Sequence, residues 1–297
     1  MSMKQFLMRS LMFVPAHNQH LLESALLRDA DVLVFDIEDS VPNCDKQKAR
    51  ENIKELLKTP EFAAYSGGIF VRVNDRESGE LLRDLYQLTL SGVDGFMYPK
   101  SNKGEDVYFV GKLLETIEYE KNIPVGTFKV VPLIETAGAV MNIMDICQAC
   151  PNRVLAVAFG CEDYVTSLHG QHDSNGESIF FARNMIVNAA RSTNILPIDT
   201  VHINVHDYEE LKRNLELSKK LGFEGMLVLN PKELQFVHKY FSPTEEEVQW
   251  AQEMVMLCNE AENEGMGVAL KNGKFVGPPM LAMARNILKK NELKSKK

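Results

Sequence analysis

The stretch VLVFDIED, residues 32–39, is an apolar run that ends in three carboxylates. Its nearly continuous apolar character is typical of a strand covered on both faces, as in a parallel sheet. Seven other short runs have strand character, and segments with helical periodicity separate them. They are LMFVPA (11–16), IFVRVN (69–74), FMYPK (96–100), VVPLIE (130–135), VLAVAFGCED (154–163), DTVHIN (199–204) and MLVLN (226–230).

Eight strand–helix units in succession predict an α/β fold, the (β/α)8 TIM barrel, which we assign to residues 1–240. A polar or charged residue stands at or just past the end of nearly every run. In this fold the strand ends open on one face, where catalysis takes place. The remaining residues, 241–297, have helical patterns and predict a C-terminal helical extension.

The composition indicates an ordinary globular protein, with 45% hydrophobic and 25% charged residues in a chain of 297. The net charge of -8 argues against nucleic acid as the main partner. No apolar stretch is long enough to span a bilayer, so no membrane partner is expected. Five scattered cysteines without a secretory signal favour the cytoplasm. Cys147 and Cys150 form a CxxC, but a second pair at zinc-site spacing is missing.

Glu135 and Asp163 follow the fifth and sixth runs, so they are expected to be neighbours on the barrel rim. Two carboxylates from adjacent strands, with water and a bidentate substrate, form a typical Mg²⁺ site. The alternative is that each carboxylate caps the helix that follows it.

Arg72 is an unusual residue for a barrel rim. Its guanidinium suits bidentate capture of a substrate carboxylate or of an enolate oxygen. A structural salt bridge to Glu38 or Asp39 is the alternative, and the two roles are compatible. Asp36, Glu38 and Asp39 crowd three like charges into four residues, which favours a metal or an arginine nearby.

Lys100 follows Pro99 and could be a Schiff-base nucleophile or an anchor for an anionic substrate. A Schiff-base lysine requires a lowered pKa, whereas an acidic rim would raise the pKa. The anchor is therefore the favoured role. GxGxxG, P-loop and GxSxG patterns are absent from the sequence, which removes the simplest nucleotide-binding and serine-hydrolase hypotheses.

Six segments, taken together in this order, resemble the HpcH/HpaI aldolase and citrate lyase beta-subunit family, in particular its malyl-CoA and citramalyl-CoA lyase branch. The segments are RSLMFVPAHN (9–18), VLVFDIEDSV (32–41), FVRVN (70–74), YPK (98–100), LIET (133–136) and FGCEDY (159–164). The resemblance covers nearly the whole chain. It implies a (β/α)8 barrel that assembles as a homotrimer or a pair of trimers, with the C-terminal extension packed on a neighbouring subunit.

The resemblance also implies a function and a site. The reaction would be Mg²⁺-dependent cleavage of a 3-hydroxy-dicarboxylic acyl thioester, carried by coenzyme A or an acyl carrier, to an acetyl thioester and a keto acid. Glu135 and Asp163 would hold Mg²⁺, and Arg72 would bind the keto acid or enolate. The acids of the DIED run, Asp36, Glu38 and Asp39, would lie near the metal's water shell. Alternatives are an aldolase or thioester hydrolase on the same barrel, or a weakened homologue that binds ligand without turnover.

Three positions depart from the family pattern. Gly277 stands where relatives have an aspartate that reaches a neighbouring active site and exchanges the proton of the thioester methyl group. Asn230 replaces a histidine near the acyl-carrier side. Ala16 replaces a glycine at the loop where the carrier's phosphates are expected to pass. These changes indicate a divergent member of the family.

Overall fold

A computed structural model of the chain describes residues 7–173, 175–263, 269–271 and 274–295. The chain forms two compact units. One consists of residues 8–238, and the other consists of residue 7 and the residues from 239 onward. In the first unit, eight parallel strands are hydrogen-bonded in sequence order, and β8 pairs with β1 to close the sheet. The predicted (β/α)8 TIM barrel is therefore confirmed.

The barrel strands are four to six residues long, and their carboxyl ends all lie on one face because every pairing is parallel. Each predicted run except the seventh overlaps its strand, and the strand begins within two residues of the start of the run. The strands are Ser10–Pro15 (β1), Val32–Asp36 (β2), Gly68–Arg72 (β3), Gly95–Tyr98 (β4), Lys129–Ile134 (β5), Ala156–Phe159 (β6), Leu196–Asp199 (β7) and Gly225–Val228 (β8).

Helices connect the strands and continue beyond the barrel. Two 3-10 turns, Asn43–Asp45 and Pro231–Glu233, precede α2 and α11. The helices are Gln19–Ala25 (α1), Lys46–Leu56 (α2), Pro60–Ala64 (α3), Leu81–Leu88 (α4), Gly104–Glu120 (α5), Ala137–Met141 (α6), Ile143–Gln148 (α7), Cys161–Ser167 (α8), Glu177–Ser192 (α9), Tyr208–Leu221 (α10), Leu234–Phe241 (α11), Glu245–Asn263 (α12) and Pro278–Ser295 (α13).

The core of the barrel unit lies within the sheet and between the sheet and the helices. All residues of β2, β4, β6 and β8 are buried, as the apolar runs predicted. On the helices the buried residues follow helical spacing, for example Leu211 and Leu215 on α10, which ends at Gly222 with a φ of 100°. Among the described helices, none has the length and apolarity needed to cross a bilayer.

The seventh strand was placed incorrectly. DTVHIN begins at Asp199, where β7 ends, so Asn204 lies five residues beyond the strand rather than at its end. The strand LPID contains Pro197, and proline usually argues against a central strand because it cannot donate a ladder hydrogen bond. Here its carbonyl accepts a hydrogen bond from the backbone N–H of Glu224 (2.9 Å), so the ladder continues.

The second unit contains α12 and α13, which pack through a small core. Ala251, Met254 and Ala284 are buried there, and Trp250 and Ile287 pack against them. Two short antiparallel strands, Ala269–Lys271 (β9) and Lys274–Val276 (β10), join the helices. This strand pair was not predicted. The packing of the extension on a neighbouring subunit stays a prediction.

Candidate active site

Asp36 and Arg72 are the last residues of β2 and β3, and they are register partners across the two strands. Arg72 donates from Nε to Oδ1 and from Nη2 to Oδ2 of Asp36, both at 2.7 Å. Burial alone would raise the pKa of Asp36, but the hydrogen bonds and charge of Arg72, together with hydrogen bonds from Ser40 and Glu38, outweigh it and hold the pKa below its usual value. The pair is a bidentate ion pair at the mouth of the barrel.

The turn after β2 positions the other two carboxylates. Because the strand ends at Asp36, Glu38 and Asp39 lie in this turn, where Asp36 Oδ1 accepts a hydrogen bond from the backbone N–H of Glu38 (2.9 Å). The third guanidinium nitrogen of Arg72, Nη1, lies 3.2 Å from Glu38 Oε2 and 3.7 Å from Asp39 Oδ2. Glu38 is buried, whereas the side chain of Asp39 is 60% exposed.

The proposed salt-bridge partners of Arg72 are therefore beside it, but its strongest contact is with Asp36. The sequence argument did not assign that contact. The signal that could have found it is the register of β2 with β3, which places the two residues side by side.

Lys100 brings a second positive charge to Glu38. Its Nζ lies 2.8 Å from Asp75 Oδ2 and 3.1 Å from Glu38 Oε1. The hydrogen bond to Asp75, aided by Glu38, raises the pKa of Lys100 above its usual value. This direction opposes a Schiff-base role and suits an anion anchor. Asp75 was not singled out from the sequence.

Glu38 combines burial with these opposing charges. Burial is the largest influence and raises its pKa to about 6, with a further contribution from Asp39. Arg72 and Lys100 act in the opposite direction. A carboxyl group with this pKa can accept or release a proton near neutral pH.

Glu135 follows β5 and is 2% exposed. Its Oε2 accepts a hydrogen bond from the backbone N–H of Lys100 (3.1 Å), the only one that any described residue donates to this carboxylate. Burial raises its pKa to about 8. A Cβ added at Gly160 would lie 3.2 Å from Cγ of Glu135, so the glycine leaves space for this side chain.

Asp163 lies in the first turn of α8, one strand further around the barrel, and is exposed. The capping alternative does not describe either carboxylate. Helix α6 is capped by Thr136, whose Oγ1 accepts from Ala139 N (3.1 Å), and the N-cap of α8 is Gly160. Asp163 receives no hydrogen bond from the part of the chain that the structure describes.

Two cavities meet at Glu135 and Asp163. A smaller one of about 340 Å³ is also lined by Phe13, Arg72 and Leu133. A larger one of about 620 Å³ is lined by polar groups that include Asp75, Arg76, Lys100 and Asn102. The two carboxylates are common to both linings and offer hard oxygen ligands at that place.

The three departures from the family pattern have different surroundings. Ala16 is buried, and its backbone N–H donates to the carbonyl of Asp36 (2.9 Å). Asn230 caps the 3-10 turn after β8, with Oδ1 accepting from Lys232 N (3.0 Å). Gly277 precedes α13 in the other unit, where its carbonyl accepts from Met280 N (3.0 Å).

A closed (β/α)8 barrel with carboxylates, an arginine and a lysine around cavities at its strand ends has the architecture of a barrel enzyme. The family model for HpcH/HpaI aldolase/citrate lyase matches residues 9–231. The chain belongs to this family.

Curated relatives agree with that assignment, and a solved structure has the same fold. The citrate lyase subunit beta of Leuconostoc mesenteroides subsp. cremoris is 32% identical over 95% of this chain and 93% of its own length. The mitochondrial citramalyl-CoA lyase of Mus musculus is 28% identical over 94% and 85%, respectively. The crystal structure of CitE from Mycobacterium tuberculosis, in complex with magnesium, acetoacetate and coenzyme A, has a TM-score of 0.73 at 24% identity and covers 96% of this chain and 98% of that one.

The predicted family and the predicted enzyme class, a carbon–carbon lyase, are confirmed. The roles of Arg72, Glu38, Asp39, Lys100, Glu135 and Asp163 stay predictions. The geometry brings all six to the same end of the barrel.

Proposed function

We propose that the protein is a Mg²⁺-dependent carbon–carbon lyase that cleaves a small 3-hydroxy-dicarboxylic acyl thioester. The substrate class is citryl, malyl or citramalyl thioester, on coenzyme A or on an acyl carrier. The products are an acetyl thioester and a keto acid. The enzyme acts as a homo-oligomer, a trimer or a hexamer.

The observation that carries the proposal is the position of Glu135 and Asp163 between two cavities, with Arg72 in the smaller cavity. The substrate of this cleavage reaction has two halves, one on each side of the bond that breaks. A site for the reaction therefore needs space on both sides of that bond. The volume of about 340 Å³ is ample for a keto acid, and the larger polar cavity suits the thioester half.

Glu135 and Asp163 fit Mg²⁺ because both are carboxylates, and the hydrogen bond from Lys100 occupies one oxygen of Glu135 only. Mg²⁺ bound there would act as a Lewis acid that polarises the hydroxyl and carboxylate oxygens of the keto-acid half. Burial is the main cause of the raised pKa of Glu135. A cation at this carboxylate would favour its charged form.

Arg72 orients the substrate in this proposal. Two of its nitrogens are fixed by Asp36, which locks the guanidinium plane, and Phe13 lies under it with Cζ 4.9 Å from the ring centroid. Its Nη1 faces only the longer contacts to Glu38 and Asp39 among the described residues. This nitrogen can donate to the oxygen that gains negative charge.

Glu38 is the proposed base, assisted by Asp39. The base removes the proton of the 3-hydroxyl group, the electron pair forms the carbonyl of the keto acid, and the carbon–carbon bond breaks. The electrons of that bond become the thioester enolate, which takes up a proton at carbon to give the acetyl group. Lys100 holds Glu38 in place through the contact at 3.1 Å and offers positive charge to the anionic substrate.

The test is a turnover assay with malyl-, citramalyl- and citryl-CoA in the presence of Mg²⁺ or of a chelator. We expect release of a keto acid and acetyl-CoA from at least one substrate, and loss of this release with the chelator. Release of free coenzyme A with the hydroxy acid intact would instead identify a thioester hydrolase. Ligand binding without any product would identify a weakened homologue.

Glu135→Gln tests the metal site directly. It is expected to abolish Mg²⁺-dependent cleavage without loss of the folded state, because the amide keeps the shape but loses the charge. Glu233→Gln is the matched control, since Glu233 is also a buried glutamate of the barrel unit but lines neither cavity. Normal cleavage and normal Mg²⁺ binding by Glu135→Gln would show that the assignment is wrong.

A further inference from the structure

A second group of metal-binding side chains lies beside the site just described. Cys161 begins α8 and is 2% exposed, Glu162 follows it, and His172 lies on the segment after the helix. His172 Nε2 is 2.5 Å from Glu162 Oε1, and Cys161 Sγ is 3.9 Å from the same oxygen. The three ligand atoms all lie within 4.8 Å of one another.

These distances suit one tetrahedral ion. With bonds of about 2.0–2.3 Å, neighbouring ligands of a tetrahedral Zn²⁺ are roughly 3.3–3.8 Å apart. The contact between Glu162 and His172 would have to open by about 1 Å, and the contact between Cys161 and Glu162 is already close to this range. His172 is on an exposed segment, so a small change of its side-chain torsions can supply the shift.

The chemistry of the three groups differs from that of Glu135 and Asp163. A thiolate, an imidazole and a carboxylate are soft and borderline ligands that select Zn²⁺ and similar transition-metal ions, whereas two carboxylates suit Mg²⁺. The combination at Cys161 is therefore specific for a different ion.

The surroundings leave room for a fourth ligand. A cavity of about 360 Å³ is lined by all three residues, which gives room for a water or another small ligand. Asp173 also lines this cavity, but its carboxylate accepts hydrogen bonds from the backbone N–H groups of Asn175 and of Glu177 and Ser178, the first two residues of α9. It is already engaged and does not complete the site.

We propose that Cys161, Glu162 and His172 bind one Zn²⁺-type transition-metal ion, with water as the fourth ligand. The backbone of Cys161 is fixed by a hydrogen bond from its N–H to Thr200 Oγ1 (3.1 Å), so the thiol presents a firm ligand. The ion would tie the segment that carries His172 to the first turn of α8, the turn that also carries Asp163.

The test is a Zn²⁺ titration of the full-length protein under saturating Mg²⁺, in competition with a chromophoric chelator. We expect one Zn²⁺ per chain that Mg²⁺ does not displace. Co²⁺ in place of Zn²⁺ should give a thiolate-to-cobalt charge-transfer band and strong tetrahedral d–d absorption. Loss of an outer-shell partner alone weakens metal affinity by about 10- to 100-fold, so His172→Ala and Cys161→Ser should weaken it at least tenfold.

Two variants serve as matched controls. Cys150→Ser removes a half-buried cysteine of the CxxC, and His169→Ala removes another histidine near the same segment; both should leave Zn²⁺ affinity unchanged. Because Cys161 is buried and its variant could unfold, the surface variant His172→Ala carries the test independently. Unchanged affinity in His172→Ala, loss of the cobalt band in Cys150→Ser, or complete displacement by Mg²⁺ would each overturn the proposal.

Discussion

The position of Arg72 is compatible with both roles that the sequence suggested, substrate binding and a structural salt bridge. Its side chain is 13% exposed and pairs with the buried Asp36, which is a structural contact, and it also lines the smaller cavity. A buried bidentate pair leaves an uncompensated charge when one partner is removed. Substitution of Arg72 should therefore affect folding as well as chemistry, although a substrate role alone would leave the thermal melt almost unchanged.

Arg72→Lys keeps the charge but loses the planar fork, so one of the two hydrogen bonds to Asp36 is lost. We expect turnover to fall about 10²- to 10³-fold, the usual effect of removing one donor to a developing oxyanion. The free energy of unfolding should fall by about 1–3 kcal/mol. Steady-state kinetics and a denaturant melt measure the two effects.

Arg153→Lys is the matched control for this prediction. Arg153 forms a similar buried bidentate pair with Glu118, at 3.1 and 2.7 Å, at the amino end of β6 and away from the cavities. Arg153→Lys should lower the free energy of unfolding about as much as Arg72→Lys does, with little change in the turnover of the folded enzyme. If Arg72→Lys lowers stability but retains normal turnover, Arg72 is a structural residue only.

The junction between β6 and α8 positions several residues of the site. Gly160 joins the strand to the helix and makes room for Glu135, and the first turn of α8 then carries Cys161, Glu162 and Asp163. The backbone N–H of Gly160 donates to the carbonyl of Ile134 (2.9 Å), which keeps this junction against β5. The small size of Gly160 therefore allows the observed position of the Glu135 carboxylate.

Gly160→Ala is expected to displace the Glu135 side chain, because the new methyl group would lie 3.2 Å from Cγ. The Mg²⁺ concentration that gives half-maximal activity should rise several-fold. Gly138→Ala is the control, since its nearest neighbour is Thr136 Oγ1 at 3.8 Å and it lies in helix α6. Equal Mg²⁺ dependence in the two variants would contradict the proposed link between Gly160 and the metal site.

The 3-10 turn after β8 contains an acid whose protonation is coupled to folding. Burial raises the pKa of Glu233 to about 7, against the lowering effect of the backbone amides of Asn230 and Leu229. The folded state therefore binds this proton more tightly than the unfolded state does. Its contribution to stability is complete below the ordinary pKa of 4.5 and is lost as the pH rises through 7.

Glu233→Gln removes this titration, so it should raise the Tm relative to wild type well above pH 7. Near pH 4.5 the variant and the wild type should melt within about 1 °C of each other, since the carboxyl is then neutral in the folded protein. Calorimetry across this pH range measures the difference. A gain in Tm that is the same at every pH would show that the ionisation of Glu233 is not its cause.

How much the sequence predicts depends on whether the signal is local. Apolar runs and helical periodicity are local, and they located seven of the eight barrel strands and the charged rim. Contacts set by strand register are not local, and Asp36 with Arg72, as well as Asp75 with Lys100, came only from the three-dimensional arrangement. β7 was placed three residues too late in the chain, because its own apolar signal is only the three residues 196–198 and includes a proline.

For the whole molecule, the family resemblance predicts that the C-terminal unit contributes to the active site of a neighbouring subunit. The resemblance implies that an aspartate at the position of Gly277 enters a neighbouring subunit in related enzymes. Gly277→Asp should therefore increase the exchange of acetyl-CoA methyl protons with deuterated water in the presence of Mg²⁺. General-base catalysis is worth about 10²- to 10⁴-fold, so nuclear magnetic resonance can follow the gain.

Gly277→Asn provides the control for size and polarity without a carboxylate, and a melt shows whether either variant folds. The asparagine variant should exchange no faster than wild type. Rapid exchange by the unmodified protein would mean that another group already supplies the base.

Light scattering measures the predicted oligomeric state. A homotrimer of this 33.5 kDa chain would have a mass of about three times that value.

Glu135 and Asp163 line both cavities, so a ligand in either cavity lies against the same two carboxylates. A charged ligand in one cavity changes the electrostatic free energy of the same two carboxylates that a ligand in the other cavity meets. Thermodynamic linkage then requires that each ligand alter the affinity of the other by the same factor. The keto acid and the acetyl thioester should consequently inhibit as an interdependent pair, and product-inhibition patterns should deviate from those of two independent sites.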